Sequence, residues 1–141
     1  MESKAELTGM GATIAGVLIG DNSSIAFNVG DARVYLWSDG YLMLLSTDDR
    51  LAGTTNVVTQ SMGGADRIKE IAPHLHEFVL EEGQVIVICS DGLSETVEFS
   101  AMQDAVGHLP VDAAAGRLLD LALDAGAPDN VSLIVLEREG D

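Results

Sequence analysis

The stretch that most constrains this chain is Val85-Ile86-Val87-Ile88-Cys89-Ser90-Asp91-Gly92-Leu93, where four β-branched residues in a row run into a carboxylate followed by glycine. Such a run fits a strand buried on both faces, and a strand held that way can fix one ionised side chain rigidly at its end. Asp91 is therefore placed rather than merely exposed. Ser90-Asp91-Gly92 alone reads equally well as a turn closing a strand, so its meaning depends on what the rest of the chain brings to it.

Upstream the pattern is β. Met1 to Leu7 is polar, helix-prone and too short for a stable element, so residues 1–8 read as a poorly ordered lead-in, the tail of something that precedes them. Thr13 to Ile19 is a dense apolar run, Asp21-Asn22 a turn, and Ile25 to Val29 its hairpin partner. Val34 to Trp37 and Tyr41 to Leu45 flank Asp39-Gly40, a type I′ hairpin signal. The expectation is a meander of four consecutive antiparallel strands. Ser46 to Asp66 reads as a connection with one helical turn near Asp48 to Leu51, and Glu77 to Leu80 as a short strand before Glu82-Gly83.

After Gly92 the period changes. Ser100 to Gln103 has capping-box spacing with Gly107 in the stop position, which predicts a short helix. Pro110 opens a second helix carrying Val111, Ala114, Ala115, Leu118, Ala122 and Ala125 at helical spacing, and Gly126 ends it. Val131 to Leu136 is the last strand. The expected class is α+β: a mostly antiparallel β-sandwich, 1–141 as one domain, with helices segregated to one side. The early strands are apolar on both faces, Ile14, Val17 and Ile19 against Ala15 and Leu18, and two helices shield only one face of such a sheet.

Charge narrows the partners. With 23 acidic and 7 basic residues the net charge is −16, which disfavours nucleic acid and anionic membrane surfaces and favours cations. An acidic surface is also an ordinary means of staying soluble. The longest apolar runs are under ten residues, too short to span a bilayer, and nothing reads as a signal peptide. Cys89 is the one cysteine and lies in an apolar run, so it reads as a buried inert thiol in a reducing, cytoplasmic setting.

Three aspartates sit at strand ends: Asp31 after Asn28-Val29-Gly30, Asp91 after Ile88-Cys89-Ser90, and Asp129 before Asn130-Val131. Carboxylates gathered at neighbouring strand ends make a rigid, oxygen-rich site suited to Mg²⁺ or Mn²⁺. Gly9-Met10-Gly11-Ala12-Thr13, Gly30-Asp31-Ala32-Arg33-Val34-Tyr35, Asn56-Val57-Val58-Thr59 with Met62-Gly63-Gly64, Cys89-Ser90-Asp91-Gly92-Leu93 and Ala127-Pro128-Asp129-Asn130-Val131 resemble, in sequence order, motifs of the metal-dependent type 2C serine/threonine protein phosphatases. The resemblance runs from about Gly9 to Leu136. Each motif is weak singly, but five in the correct order are specific.

The resemblance implies a phosphatase with a role in signalling, acting on phosphoserine and phosphothreonine in proteins, in which two Mn²⁺ or Mg²⁺ ions bridge and acidify a water that attacks phosphorus in line. Carried over by position, Asp91 and Asp129 match ligands of the binuclear centre, and Asp31 a ligand of the weaker third metal of bacterial members. Glu95 is a weak companion to Asp31, since the family often has Asp there. Ser90, Gly92 and Asn130 are supporting residues: Gly92 for close backbone approach, Asn130 to orient the turn. Arg33 reads as structural. No residue of the chain is assigned as catalytic beyond the ligands.

The departures are informative. The family domain is substantially longer, and its first part supplies an acidic residue, an Asp-Gly metal pair, the phosphate-gripping arginine, and two helices that would cover the second sheet face. None has a counterpart before Gly9. Ser46-Thr47-Asp48-Asp49-Arg50 stands where the family usually has Thr-x-Asp-His, and Leu51 to Thr55 leaves little room for the flap beside the substrate groove. The chain thus reads as a truncated α-β-β-α phosphatase sandwich, inactive or nearly so alone. The alternative is a non-catalytic phosphatase-like module that binds a partner or self-associates through the uncovered face. His74 and His76 read as a solvent-facing loop pair, Gly63-Gly64 as a loop, and Trp37 as sheet packing.

Overall fold

Strand β8 (Val85–Cys89) is the axis of the fold. It pairs antiparallel with β4 (Arg33–Ser38) on one side and β9 (Leu133–Glu137) on the other, and β5 (Tyr41–Leu44) extends the sheet beyond β4. Ile86 and Val87 point to opposite faces and are both at 0% exposure, so the two faces are covered by different layers. The computed structural model describes residues 10–50, 58–63, 70–126 and 129–140. The expected lead-in 1–8, Leu51 to Val57 and Gly64 lie outside them.

On one face Tyr35, Val85, Val87 and Cys89 pack with Leu93, Met102, Val106, Leu118 and Ala122 from the helices α1 (Asp91–Ser94), α2 (Phe99–His108) and α3 (Val111–Asp124). On the other, Val34, Leu36 and Ile86 meet Ala26, with Ala15, Val17 and Phe78 against them. These last residues belong to a second sheet in the order β2 (Ile14–Ile19), β3 (Ser24–Val29), β7 (His74–Phe78). A two-stranded pairing of β1 (Gly11–Ala12) with β6 (Met62–Gly63) completes the described strands. The result is an antiparallel sandwich with helices on one side, the expected class. Among the described residues no helix is long and apolar enough to cross a membrane.

Several sequence expectations need correction. The four early strands do not form one meander: β2–β3 and β4–β5 are two hairpins in different sheets, and the chain crosses between layers at Gly30 to Ala32. Hairpin signals define pairs, whereas the layer each pair joins depends on distant partners, here β7 and β8. No helical turn forms at Asp48 to Arg50; Arg50 makes an antiparallel bridge with Val58. Strand β7 begins at His74, not Glu77, so the two histidines lie in a strand opposite Asn28 and Ala26 rather than in a loop. In α2 the N-cap is Glu98, with no side-chain cap bond, so Ser100 falls within the first turn. Gly107 does not stop that helix. A Cβ there would come within 3.0 Å of the Trp37 indole nitrogen, so glycine lets the helix settle on the tryptophan.

The outer face of the β2–β3–β7 sheet carries Ile14, Leu18 and Leu75, the last two 63% and 67% exposed. Side chains alternate along β2, so Ile14 shares this face with Leu18 and not, as expected, with Val17, which packs inward beside Ala15. Among the described residues nothing covers it. Because β8 is enclosed on both sides, Ile86→Ala should cost about 2–5 kcal/mol, read as a lower midpoint in urea with an unchanged slope.

Candidate metal centre

The register of the four-stranded sheet decides which residues meet. Arg33 opposes Cys89 and Cys89 opposes Leu133, so the start of β4, the end of β8 and the start of β9 share one end of the sheet. Asp31 lies just before β4, Asp91 just after β8 and Asp129 shortly before β9. All three therefore arrive at that end, although 98 residues separate the first from the last.

Local bonds hold the two later segments together. The Ser90 N–H donates to the Ser132 carbonyl (2.9 Å), and the Ser132 N–H donates to Ser90 Oγ (3.0 Å). Next to this clamp, a Cβ on residue 92 would lie 2.2 Å from the Asn130 carbonyl oxygen, so only glycine permits the approach. Asp129 Oδ1 accepts the Asn130 N–H at 2.7 Å, fixing the turn. Asp91 itself opens α1, and the Glu95 N–H donates back to its carbonyl at 2.9 Å.

Arg50 supplies the local positive charge. Its Nη2 donates to Oδ2 of the buried Asp31 at 3.0 Å, and its Nη1 pairs with Glu95 Oε1. Burial alone would lower the Arg50 pKa, but the bonds and charges of Glu95 and Asp31 outweigh it and raise the value. Asp91 is raised too, first by burial and then by the charges of Asp31, Glu95 and Asp129, with Arg50 acting in the opposite direction. Asp91 thus feels a net negative environment. That surplus, carried by oxygen donors alone, is the chemistry a hard divalent cation satisfies. As the side chains stand, no three His, Cys, Asp or Glu residues among those described converge as a ligating group.

Sequence reasoning did not find the anchoring of Asp48 to Arg50. Asp48 grips Arg33 through two bonds, Nε to Oδ1 at 3.0 Å and Nη2 to Oδ2 at 2.5 Å, while Arg33 Nη1 donates to the Tyr35 hydroxyl at 2.9 Å. This holds the Arg33 pKa well above its ordinary value, with Asp48 as the largest cause. Asp49 accepts the Gly30 N–H (2.8 Å) and the Gln60 amide (3.0 Å) on Oδ2, and its Oδ1 lies 2.6 Å from His74 Nε2. Asp49 therefore fixes the backbone next to Asp31. The available signal was the density of charge in Thr47-Asp48-Asp49-Arg50 where a turn had no need of it. Cys89 is buried, and burial first of all pushes its thiol up to about 12, so it stays protonated and inert at neutral pH.

The sequence profile of the family described as Protein phosphatase 2C matches residues 1–118, and the chain belongs to that family. It is 29% identical over 154 aligned positions to the serine/threonine protein phosphatase PstP of Mycobacterium tuberculosis, which takes in 97% of this chain and 29% of PstP. The crystal structure of M. tuberculosis PstP/Ppp superposes with a TM-score of 0.86 at 29% identity, covering 97% of this chain and 64% of that one. The PstP catalytic domain in complex with 2 manganese ions gives 0.82 at 29% identity, over 97% and 63%. The chain thus spans under two thirds of the length of these relatives. The profile match ends inside α3, whereas structural similarity over 97% of the chain extends beyond it.

Burial tends to raise the Asp49 pKa, but the Gly30 N–H, His74 and Gln60 outweigh it and hold the carboxyl below its ordinary value. A depressed carboxyl stabilises the fold fully above the unfolded pKa of about 4 and loses that contribution as pH falls through the lower folded value. Asp49→Asn should therefore cost about 1–3 kcal/mol near neutrality and flatten the acid limb of a urea-midpoint profile below about pH 4.

Proposed function

We propose that this chain is the C-terminal part of a metal-dependent serine/threonine protein phosphatase domain. Asp91 and Asp129 would hold the binuclear pair of Mn²⁺ or Mg²⁺ ions, Asp31 and more weakly Glu95 belong to a third-ion position, and Ser90, Gly92 and Asn130 shape the site. The observation that carries this reading is the arrival of carboxylates from three separate segments at one sheet end, where burial first and then their charges raise Asp91. Manganese in particular is supported by the PstP complex.

Bound there, divalent ions would supply Lewis-acid chemistry toward a phosphate ester. The chain's own residues hold and orient. β8 keeps Asp91 at the end of a fully packed strand, the Ser90 clamp sets the Asn130 turn against it, and Gly92 lets the two backbones close. Phosphoserine and phosphothreonine proteins as substrates rest on the relatives' names, and Mg²⁺ and signalling on the family resemblance. Cytoplasmic location rests on the lone buried Cys89. The net charge of −16 disfavours nucleic acid and anionic membrane as partners.

Because the resemblance assigns the phosphate-gripping arginine and further ligands to a segment without a counterpart before Gly9, turnover by these residues alone should stay near the buffer blank. Calorimetric titration should show Mn²⁺ binding that Asp91→Asn weakens by at least about tenfold, the loss already typical when only a partner behind a ligand is removed. Binding unchanged in both Asp91→Asn and Asp129→Asn would sink the assignment, whereas p-nitrophenyl phosphate hydrolysis abolished by Asp91→Ala would overturn only the expected lack of turnover. The exposed face bearing Ile14, Leu18 and Leu75 supports pairing with a second copy of the chain, since an isologous contact closes an apolar sheet face on itself. Leu18→Lys combined with Leu75→Lys should lower the average mass seen by sedimentation equilibrium; a wild type that stays monomeric at high concentration would contradict it.

A further inference from the structure

We infer that Arg50 is a built-in cation at the Asp31–Glu95 pair: its guanidinium fills the gap between the two carboxylates and keeps a divalent ion out of that position, while Asp91 and Asp129 remain available. This rests on the reading of the centre as a metal site given above, and it concerns how many ions this particular chain admits.

Three observations converge on it. The two nitrogens of one guanidinium end are divided between carboxylates from different segments, Nη2 on Asp31 Oδ2 at 3.0 Å and Nη1 on Glu95 Oε1. The Arg50 side chain is 14% exposed and that of Asp31 8%, so that contact is shielded from solvent competition, while Glu95, 36% exposed, makes the outer contact. The arginine is also held from its own backbone, by the bridge to Val58 and by Asp49, which accepts the Gly30 N–H in the preceding position. A planar fork locked at both carboxylates uses the lone pairs that an ion would need, and its positive charge repels a second cation from the same spot.

The sequence departures fit the same account. Arg50 belongs to the segment that differs from the family's usual Thr-x-Asp-His, and Glu95 stands where the family often has Asp. The two departures meet in one ion pair, and the extra methylene of Glu95 extends its carboxylate toward Arg50. Each departure makes physical sense given the other: a cation introduced between two carboxylates, and a carboxylate long enough to reach it.

Counting Mn²⁺ ions per chain by calorimetry and by electron paramagnetic resonance of the free ion tests this directly. Arg50→Gln should bind one Mn²⁺ more per chain than the wild type, and the gain should vanish when Asp31→Asn is added. Mn²⁺ should also raise the thermal midpoint of Arg50→Gln more than that of the wild type. Arg50→Lys, which keeps the charge, should retain the wild-type count. An Arg50→Gln count equal to wild type, or an extra ion that survives Asp31→Asn, overturns the inference. Should Arg50→Gln fail to fold, Arg50→His, the residue usual in the family at this place, stands in for it at about pH 8, where an imidazole is largely neutral, and a wild-type count there overturns the inference equally. The underlying reading fails separately, if Asp91→Asn and Asp129→Asn both leave Mn²⁺ binding of the otherwise wild-type chain unchanged.

Discussion

The structure depends on enclosing β8 between two layers, which leave only Ile88 of the strand partly exposed. Val85, Ile86 and Val87 leave no face for solvent, so the chain must place a helical layer on one side and a second sheet on the other. Each further element follows from that demand. Leu118 and Ala122 of α3, with Met102 and Val106 of α2, close the first face, while the β2–β3 hairpin closes the second through Ala15, Val17 and Ala26. The reward for function is positional. A strand clamped between layers ends at a defined point, and Asp91 stands two residues past its end.

Electrostatics then sets the character of that end. Asp48, Asp49 and Arg50 are adjacent in the chain but serve three different partners: Arg33, the Gly30 amide with Gln60 and His74, and the Asp31–Glu95 pair. One short segment thus fastens the crossing between the sheets and brings the local positive charge to a carboxylate-rich place. What is left over at Asp91 is negative, which adds to burial in raising its pKa and defines the kind of partner that would relieve it.

Much of this was legible beforehand. Asp39-Gly40 announced its two-residue turn, and Asp39 adopts a φ of 49° and Gly40 one of 90° as such a turn demands. The spacing of Ala114, Leu118 and Ala122 marked the buried stripe of α3. The order of the aspartate motifs pointed to the family through five weak signals that reinforce each other. Other features were not legible because their causes lie far away in sequence. His74 to His76 has little apolar pattern, and it becomes a strand because β3 offers an open edge. Gly107 looks like a stop signal until Trp37, seventy positions earlier, is brought against it.

By itself, then, the sequence determined the local geometry: hairpins where turn residues permit positive φ, helices where apolar residues recur at helical spacing, and a strand that must be buried. It also determined which carboxylates sit at strand ends, because the change from β-branched residues to Asp-Gly is a local event. Only the tertiary structure decided which ends are neighbours, since antiparallel register between β4, β8 and β9 is set by cross-strand packing over many residues. It alone decided, too, that Arg50 meets Asp31 and Glu95, because an ion pair depends on distance through space and leaves no period in the chain.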